Sequence, residues 1–298
     1  TGPITIDGQT FTSENMIETL EHQVEIGFLE QGIPRSERKD IMGQLSTELQ
    51  EKLFSLPAAK WLDVMNIIKD ALSERHVQIY EKNPDIQTEI AAQSWAGRVK
   101  DFSGDFLKVV DANMASLKTD AYIERNVAYE VYFNENDDLV ARATMHYKNT
   151  GTFSWKSTRY RTYTRVYAPQ GSELIGVTGH LKDDKLSNPN LEPGEVDVYD
   201  ELGKTVFGAF TSIEPGQEGD LVFEYKLPQE IARQIKDGEY NLFIEKQAGT
   251  GAPGLTLSLK FGKNLESAEP SEEATYWGDS QYNVETDLRV DQEFQIKF

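Results

Sequence analysis

The sequence contains no cysteine in 298 residues. Disulfide bonds, thiol nucleophiles and thiolate metal sites are therefore excluded. Only four histidines are present, and none has a partner at the spacing of a common zinc motif. We therefore expect neither a metal site nor a cofactor.

Positive charge is also scarce. The chain has 30 lysines and arginines against 50 aspartates and glutamates, which gives a formal net charge of −20. A sequence pI near 4.6 argues against nucleic acid as a partner, because phosphate binding needs a basic face. No apolar run reaches the length of about 18 residues that a transmembrane helix requires.

Helical periodicity dominates the first part of the chain. Three stripes of apolar residues recur at intervals of three or four, separated by breakers such as Pro34 and Pro57. Asn83 and Pro84 predict the N-cap and first position of a fourth helix. A short strand is expected at residues 106–110, followed by a polar connection. We interpret residues 1–118 as a mostly helical, or partial α/β, N-terminal domain.

The period changes to two after Tyr122. Many short alternating segments follow, bounded by Gly, Pro and Asn/Asp turns, and they predict an Ig-like antiparallel β-sandwich over residues 119–298. The acidic stretch 264–287 is expected to form a long surface loop. The predicted class is α+β, and a fragment that begins near Ala121 is expected to fold alone.

Residues 139–169 read as one long β-hairpin without a single acidic residue. Alternation places several basic and aromatic side chains on its outer faces. Arginine suits bidentate binding of anions, and tyrosine can stack on a sugar. The candidate binding residues are Arg142, Lys148, Arg159, Arg161, Tyr163, Arg165 and Tyr167.

The spacing of these residues fits an extended anionic glycopolymer better than one small ligand. The alternative is internal pairing with glutamates of neighbouring strands, for example Glu130 or Glu224. If carboxylates of the protein already hold the arginines, the anion site fails.

Eight short runs spread along the chain form a recognisable series. They are 1–4 (TGPI), 12–15 (TSEN), 74–80 (ERHVQIY), 95–97 (WAG), 105–113 (DFLKVVDAN), 160–172 (YRTYTRVYAPQGS), 203–208 (GKTVFG) and 245–250 (EKQAGT). Together they resemble a bacterial family filed as domain of unknown function four thousand and twelve, over nearly the whole chain. The resemblance implies a membrane-anchored protein whose folded part lies outside the cell, with an anchor upstream of this chain and no established activity.

A fainter similarity concerns Arg35, Arg38 and Lys39, which stand before a helical stripe. They resemble the arginine-rich end of LytR-CpsA-Psr domains, which transfer lipid-linked glycopolymers to the cell wall. The similarity implies an alternative anion site at these three residues.

The sequence therefore predicts a non-catalytic, extracytoplasmic module at the cell surface. Its expected partner is an anionic envelope glycopolymer or a surface protein. The C-terminal part of a wall-glycopolymer transferase is the alternative function, and a structural spacer is the third.

Overall fold

The computed structural model describes residues 2–298 and divides the chain into two compact units. One unit ends at Lys69, and the other is Asp70–Phe298. The division lies well before the boundary at residue 118 that the change of period suggested.

The first unit combines a β-hairpin with short helices. Strands β1 (Ile4–Ile6) and β2 (Gln9–Phe11) pair antiparallel around a turn in which Asp7 and Gly8 both have positive φ. The helices are α1 (Met16–His22), which continues through the π-helical segment Gln23–Gly27 into α2 (Phe28–Glu30), then α3 (Asp40–Phe54) and α4 (Trp61–Ser73), whose last four residues belong to the second unit. A small core of Ile4, Ile6, Phe11 and Leu45 holds the hairpin against α3.

The second unit contains helix α5 (Pro84–Ala92), helix α6 (Gln229–Asp237) and most of the strands. Asn83 caps α5 through its side chain, with Pro84 at the first position, as the sequence predicts. The strands in chain order are β3 (Asp105–Asn113), β4 (Ile123–Phe133), β5 (Leu139–Asn149), β6 (Tyr160–Pro169), β7 (Glu173–Thr178), β8 (Val196–Glu201), β9 (Lys204–Ile213), β10 (Glu218–Lys226), β11 (Glu239–Glu245), β12 (Gly254–Lys260), β13 (Ser267–Glu269), β14 (Gln281–Asp287) and β15 (Gln292–Lys297).

Two large sheets enclose the main core. The first has the order β14-β12-β4-β5-β10-β7, and the second has the order β13-β15-β11-β3-β6-β9-β8. Aromatic pairs such as Phe207–Tyr225 and Tyr147–Tyr160 join the two sheets, with ring centroids 5.1 and 5.7 Å apart. The predicted alternation is confirmed on β5 and β6, whose inward-facing side chains are buried.

The segment 70–104 covers part of the outer face of the second sheet. Val99 and Phe102 pack on a buried cluster of Phe106, Tyr167, Val206 and Phe243. Both faces of β3 are therefore shielded from water where it crosses this cluster.

The predicted fold class is wrong. The chain is mostly β, with 36% strand against 24% helix. Strand β3, assigned from sequence to a helical domain, lies inside the second sheet between β11 and β6. Both sheets are mixed rather than antiparallel, because β3 pairs with β11 and β4 with β12 in parallel. A sandwich-like pair of sheets remains consistent with the prediction.

Two local expectations also need correction. Strands β5 and β6 do not form a hairpin, since β5 belongs to the first sheet and β6 to the second. The residues between them cross from one sheet to the other. The acidic stretch 264–287 is not one long loop, because it contains β13 and the edge strand β14.

Removal of β3 should prevent the second unit from folding. A fragment that begins at Ala121 lacks the strand that joins β11 to β6, whereas a fragment that begins at Asp70 retains it. We expect a cooperative thermal transition by circular dichroism for the fragment from Asp70 and none for the fragment from Ala121. A native-like transition in the shorter fragment would show that β3 is dispensable.

Candidate functional site

The basic residues on β5 are paired with acids on neighbouring strands. Arg142 lies 3.1 Å from a carboxylate oxygen of Glu224 and 3.8 Å from one of Glu130. The Lys148 ammonium lies 2.8 Å from Glu124. This part of the predicted binding surface therefore follows the alternative of internal pairing.

The arginines at and along β6 are also held by carboxylates. The partners come from loops and from β8, not from the glutamates that the sequence suggested. The pairs are Arg159–Glu214 at 2.8 Å, Arg161–Asp184 at 3.5 Å and Arg165–Glu201 at 3.8 Å.

The hydroxyl groups of the two tyrosines in the predicted surface bond to acidic residues of β8. Tyr163 donates its hydroxyl hydrogen to Asp197, and Tyr167 donates to Glu201 over 2.7 Å. Burial, followed by the hydrogen bond to Glu201, raises the pKa of Tyr167 to about 12. Six of the seven candidate residues are thus split between the two sheets, and Arg159 lies in the loop before β6. The charged or hydroxyl groups of all seven are engaged within the protein.

The alternative anion site lies in the first unit, just before α3 begins at Asp40. Arg35 and Lys39 are exposed. Arg38 is 3.4 Å from Glu25, and its guanidinium lies 5.9 Å from the centroid of the Phe28 ring. One of the three cations is therefore engaged locally.

Strand β3 brings two carboxylates into the space between the sheets. Asp105 accepts hydrogen bonds from the hydroxyls of Tyr129 and Tyr240 and from the Phe106 amide. Its complete burial raises the pKa to about 6, against the opposing effect of these donors.

The second carboxylate, Asp111, also accepts hydrogen bonds on both of its oxygens. One oxygen accepts from Tyr147 at 2.7 Å and from Thr164 at 2.8 Å, and the other accepts from Arg125 at 3.1 Å. Arg125 also pairs with Asp120. A cavity of about 30 Å³ beside this network has room for about one water molecule.

A third buried carboxylate, Glu245, lies on the outer face of the second sheet. Arg75 and Lys108 pair with one of its oxygens, and the backbone amide of Lys100 donates to the other. Arg75 also pairs with Asp291 at 2.6 Å. This cluster fastens the covering segment to β3 and β11.

One end of the sandwich exposes a group of apolar side chains. It is formed by residues 114–119 (MASLKT), after β3, and residues 150–159 (TGTFSWKSTR), between β5 and β6. Four large apolar side chains in these loops are exposed, and we call them the apolar loop end. They are Met114 at 48%, Leu117 at 53%, Phe153 at 64% and Trp155 at 40%.

Hydrogen bonds fix the two loops to each other. The Lys118 amide donates to the Lys156 carbonyl over 2.8 Å, and the Thr158 amide donates to the Thr119 hydroxyl over 3.0 Å. Leu117 has a φ of 56°, a left-handed conformation that is unusual for a bulky residue. The two loops of the apolar loop end are therefore held in a defined conformation by hydrogen bonds.

A third loop adjoins these two through Arg161. Arg161 pairs with Asp184 and also donates to the carbonyl of Ala115. The loop after Asp184 exposes Leu186 by 74% and Leu191 by 54%. In the sequence, the run Phe153-Ser154-Trp155 could have indicated an exposed apolar surface, but it was interpreted as part of the β-hairpin.

Among residues 2–298, no cluster of three or more histidines or acids could hold a metal ion. In the same residues, no helix is long and apolar enough to cross a bilayer.

Comparison with known proteins yields only distant likenesses. No family model and no curated protein matches the chain. A nutrient-binding protein from Legionella pneumophila is 11% identical with a TM-score of 0.33, over 65% of this chain and 71% of that one. An M1 zinc metallopeptidase from Deinococcus radiodurans is 8% identical with a TM-score of 0.27, over 62% of this chain and 43% of its own. These likenesses carry no argument about function.

Reversal of two arginine charges should weaken folding. In the double variant Arg161→Glu with Arg165→Glu, the new acids would face Asp184 and Glu201. Because both arginines are about one-third exposed, we expect a loss of roughly 1–2 kcal/mol in the free energy of unfolding, measured with urea. Lys148→Glu, on a more exposed pair, should change the urea midpoint much less, and an unchanged midpoint in the double variant would contradict the pairing.

Titration of Asp105 should appear in the pH dependence of stability. Its pKa is 3.8 when unfolded and about 6 when folded, so the folded protein binds this proton more tightly. That contribution is complete below the unfolded pKa and disappears as the pH rises through about 6.

Asp105→Asn removes the titration. The difference in unfolding free energy, wild type minus variant, should therefore fall by about 2 kcal/mol between about pH 4 and about pH 7. Urea unfolding at a series of pH values measures this difference. A difference independent of pH would contradict the raised pKa.

Proposed function

We propose that this chain is a non-catalytic, extracytoplasmic module that contacts the cell envelope through its apolar loop end. The observation that carries the proposal is the exposure of Met114, Leu117, Phe153 and Trp155 on two loops that are hydrogen-bonded together. Exposed apolar clusters on soluble domains commonly mark interaction surfaces. The extracytoplasmic location rests on the family resemblance.

The arrangement of charge supports the same choice of surface. The cations of the sheet faces are occupied by internal carboxylates, as at Arg142, Arg159 and Lys148. The buried acids Asp105, Asp111 and Glu245 each accept several hydrogen bonds from the protein itself. These groups serve the fold, so the exposed apolar side chains of the loop end, and not its charge, support the proposal.

The fixed conformation of the loop that carries Phe153 and Trp155 also supports the proposal. Side chains that are already held in place lose less conformational freedom when they bind. Ser154 and Ser157 bond to each other and to the backbone of the same loop, so Phe153 and Trp155 stand on a fixed turn. A structural spacer would need no such presentation of aromatic side chains.

The double variant Phe153→Ser with Trp155→Ser tests the proposed function. Cosedimentation with crude bacterial envelopes, membrane and wall together, measures binding. Loss of two exposed aromatic side chains that the envelope would cover should weaken retention by at least about tenfold. The thermal midpoint should stay close to that of the wild type, because both side chains are exposed.

A matched control is available elsewhere on the same unit. Tyr276 and Trp277 are exposed by 45% and 67%, so Tyr276→Ser with Trp277→Ser removes two comparable aromatic residues away from the loop end. This control should bind envelopes like the wild type. Equal retention of all three proteins would support the spacer and contradict the proposal.

A further inference from the structure

A surface cavity of about 560 Å³ lies at the edge of the first sheet, beside strand β14. Thr256 of β12 and Asn283 and Glu285 of β14 line it from the sheet, and Glu272 and Tyr276 line it from the segment before β14. Pockets for small organic ligands commonly have volumes of about 300–1,000 Å³. The cavity is therefore large enough for a small molecule.

The residues that line this cavity carry negative charge only. Three of them are carboxylates, Glu272, Glu273 and Glu285, and none is a lysine, arginine or histidine. Within residues 2–298, neither Glu273 nor Glu285 forms an ion pair. Acids elsewhere on the unit are compensated, as at Asp138, which lies 2.8 Å from the Lys226 ammonium. The cavity therefore holds charge that the protein itself does not neutralise.

The side chain of Glu272 points to a ligand more specifically. Glu272 is buried, with 8% exposure, yet only one of its carboxylate oxygens has a hydrogen-bond partner in the part of the chain that the structure describes. That oxygen, Oε1, accepts from the backbone amide of Asn283 over 2.6 Å. Burial, with a further contribution from the charge of Asp279, raises the pKa of Glu272. A buried carboxylate oxygen without a partner is unfavourable, so a cation that donates a hydrogen bond would stabilise it.

Aromatic rings accompany these carboxylates. Tyr276 lines the cavity and is 45% exposed. Glu272 also lines a second cavity, of about 430 Å³, together with Trp277 and Glu266. Trp277 Nε1 donates to the backbone carbonyl of Glu272 over 3.0 Å, which fixes this ring relative to Glu272. Because the face of an aromatic ring attracts ammonium groups, the rings favour the same kind of ligand as the carboxylates do.

We infer that the cavity lined by Glu272 and Tyr276 binds a small aliphatic diamine in its doubly protonated form. Two ammonium groups match the three carboxylates better than one does, and their N–H groups donate to carboxylate oxygens. The methylene chain can pack on the Tyr276 ring. The lack of cations among the lining residues argues against an acidic ligand, and a neutral polyol would leave the charge uncompensated. The inference does not depend on the proposed function, which involves other residues.

Isothermal titration calorimetry with the intact chain and putrescine, a four-carbon diamine, tests the inference at low ionic strength. We expect saturable binding that weakens as salt is added, because salt screens the attraction between the charges. Butanediol with terminal hydroxyls, the uncharged analogue of putrescine, should not bind. Equal binding of the diol, or no saturable binding of putrescine, would overturn the inference.

The variant Glu272→Gln removes the buried charge. Its amide oxygen can still accept from the Asn283 backbone, so the thermal midpoint should stay close to that of the wild type. Putrescine binding should weaken by at least about tenfold, since a hydrogen bond to a charged group is lost. Glu135→Gln is the matched control, because Glu135 is exposed and lies outside both cavities. An equal loss of binding in this control would assign the effect to net charge and overturn the inference.

Two variants of Tyr276 supply a test that does not alter the charge. Tyr276→Phe retains an aromatic face and should bind putrescine like the wild type. Tyr276→Ser removes the ring and should bind about two- to fivefold more weakly. Equal affinities in these two variants would show that the ring does not contact the ligand and would contradict the inference.

The loop variant separates this inference from the proposed function. Phe153→Ser with Trp155→Ser should bind putrescine like the wild type, whatever its retention on envelopes. Tyr276→Ser with Trp277→Ser should bind putrescine more weakly while it still binds envelopes. Loss of putrescine binding in the loop variant alone would place the ligand at the apolar loop end and overturn the inference.

Discussion

The fold depends on hydrogen bonds and ion pairs to the buried carboxylates of strand β3. Asp105 and Asp111 stand near its two ends on the face toward the main core, where an unpartnered charge would be strongly destabilising. Tyrosines from both sheets reach Asp105, and Arg125 from β4 reaches Asp111. These contacts join β3 to strands of the opposite sheet, so the polar groups help to fix how the two sheets face each other.

The outer face of β3 is constrained in the same manner. Lys108 pairs with Glu245 on the neighbouring strand, and Glu245 in turn receives Arg75 from the covering segment. Phe106, also on this face, is packed beneath Phe102 and Phe243. The segment that looked like part of a separate helical domain is thus bound to the sheet by a buried ion cluster and by aromatic contacts.

Local elements were largely predictable from the sequence, whereas their partners were not. The Asn83–Pro84 start of α5 and the alternation along β5 and β6 follow from short-range preferences, and all three are as expected. The parallel pairing of β3 with β11 joins residues far apart in the chain, and no local period encodes it. Arg161 shows the same limit, because its partner Asp184 lies in a loop that alternation rules do not place.

The candidate surface was missed for a related reason. Phe153 and Trp155 lie in a stretch that could be read as the tip of a hairpin, and only the crossing between sheets reveals them as an exposed turn. The basic residues around them gave the stronger signal in the sequence. In the folded chain Arg159 pairs with Glu214 and Arg165 with Glu201, so the basic residues do not form an anion site, whereas the exposed aromatic side chains mark a surface.

Hydrogen–deuterium exchange with and without crude bacterial envelopes tests the central claim most directly, because it reports on every part of the chain at once. The account predicts slower exchange in residues 114–119 and 150–159 when envelopes are present, with the sheet faces and the first unit unchanged. Protection centred on the outer face of β6, or no protection anywhere at an envelope concentration that retains the protein, would contradict it.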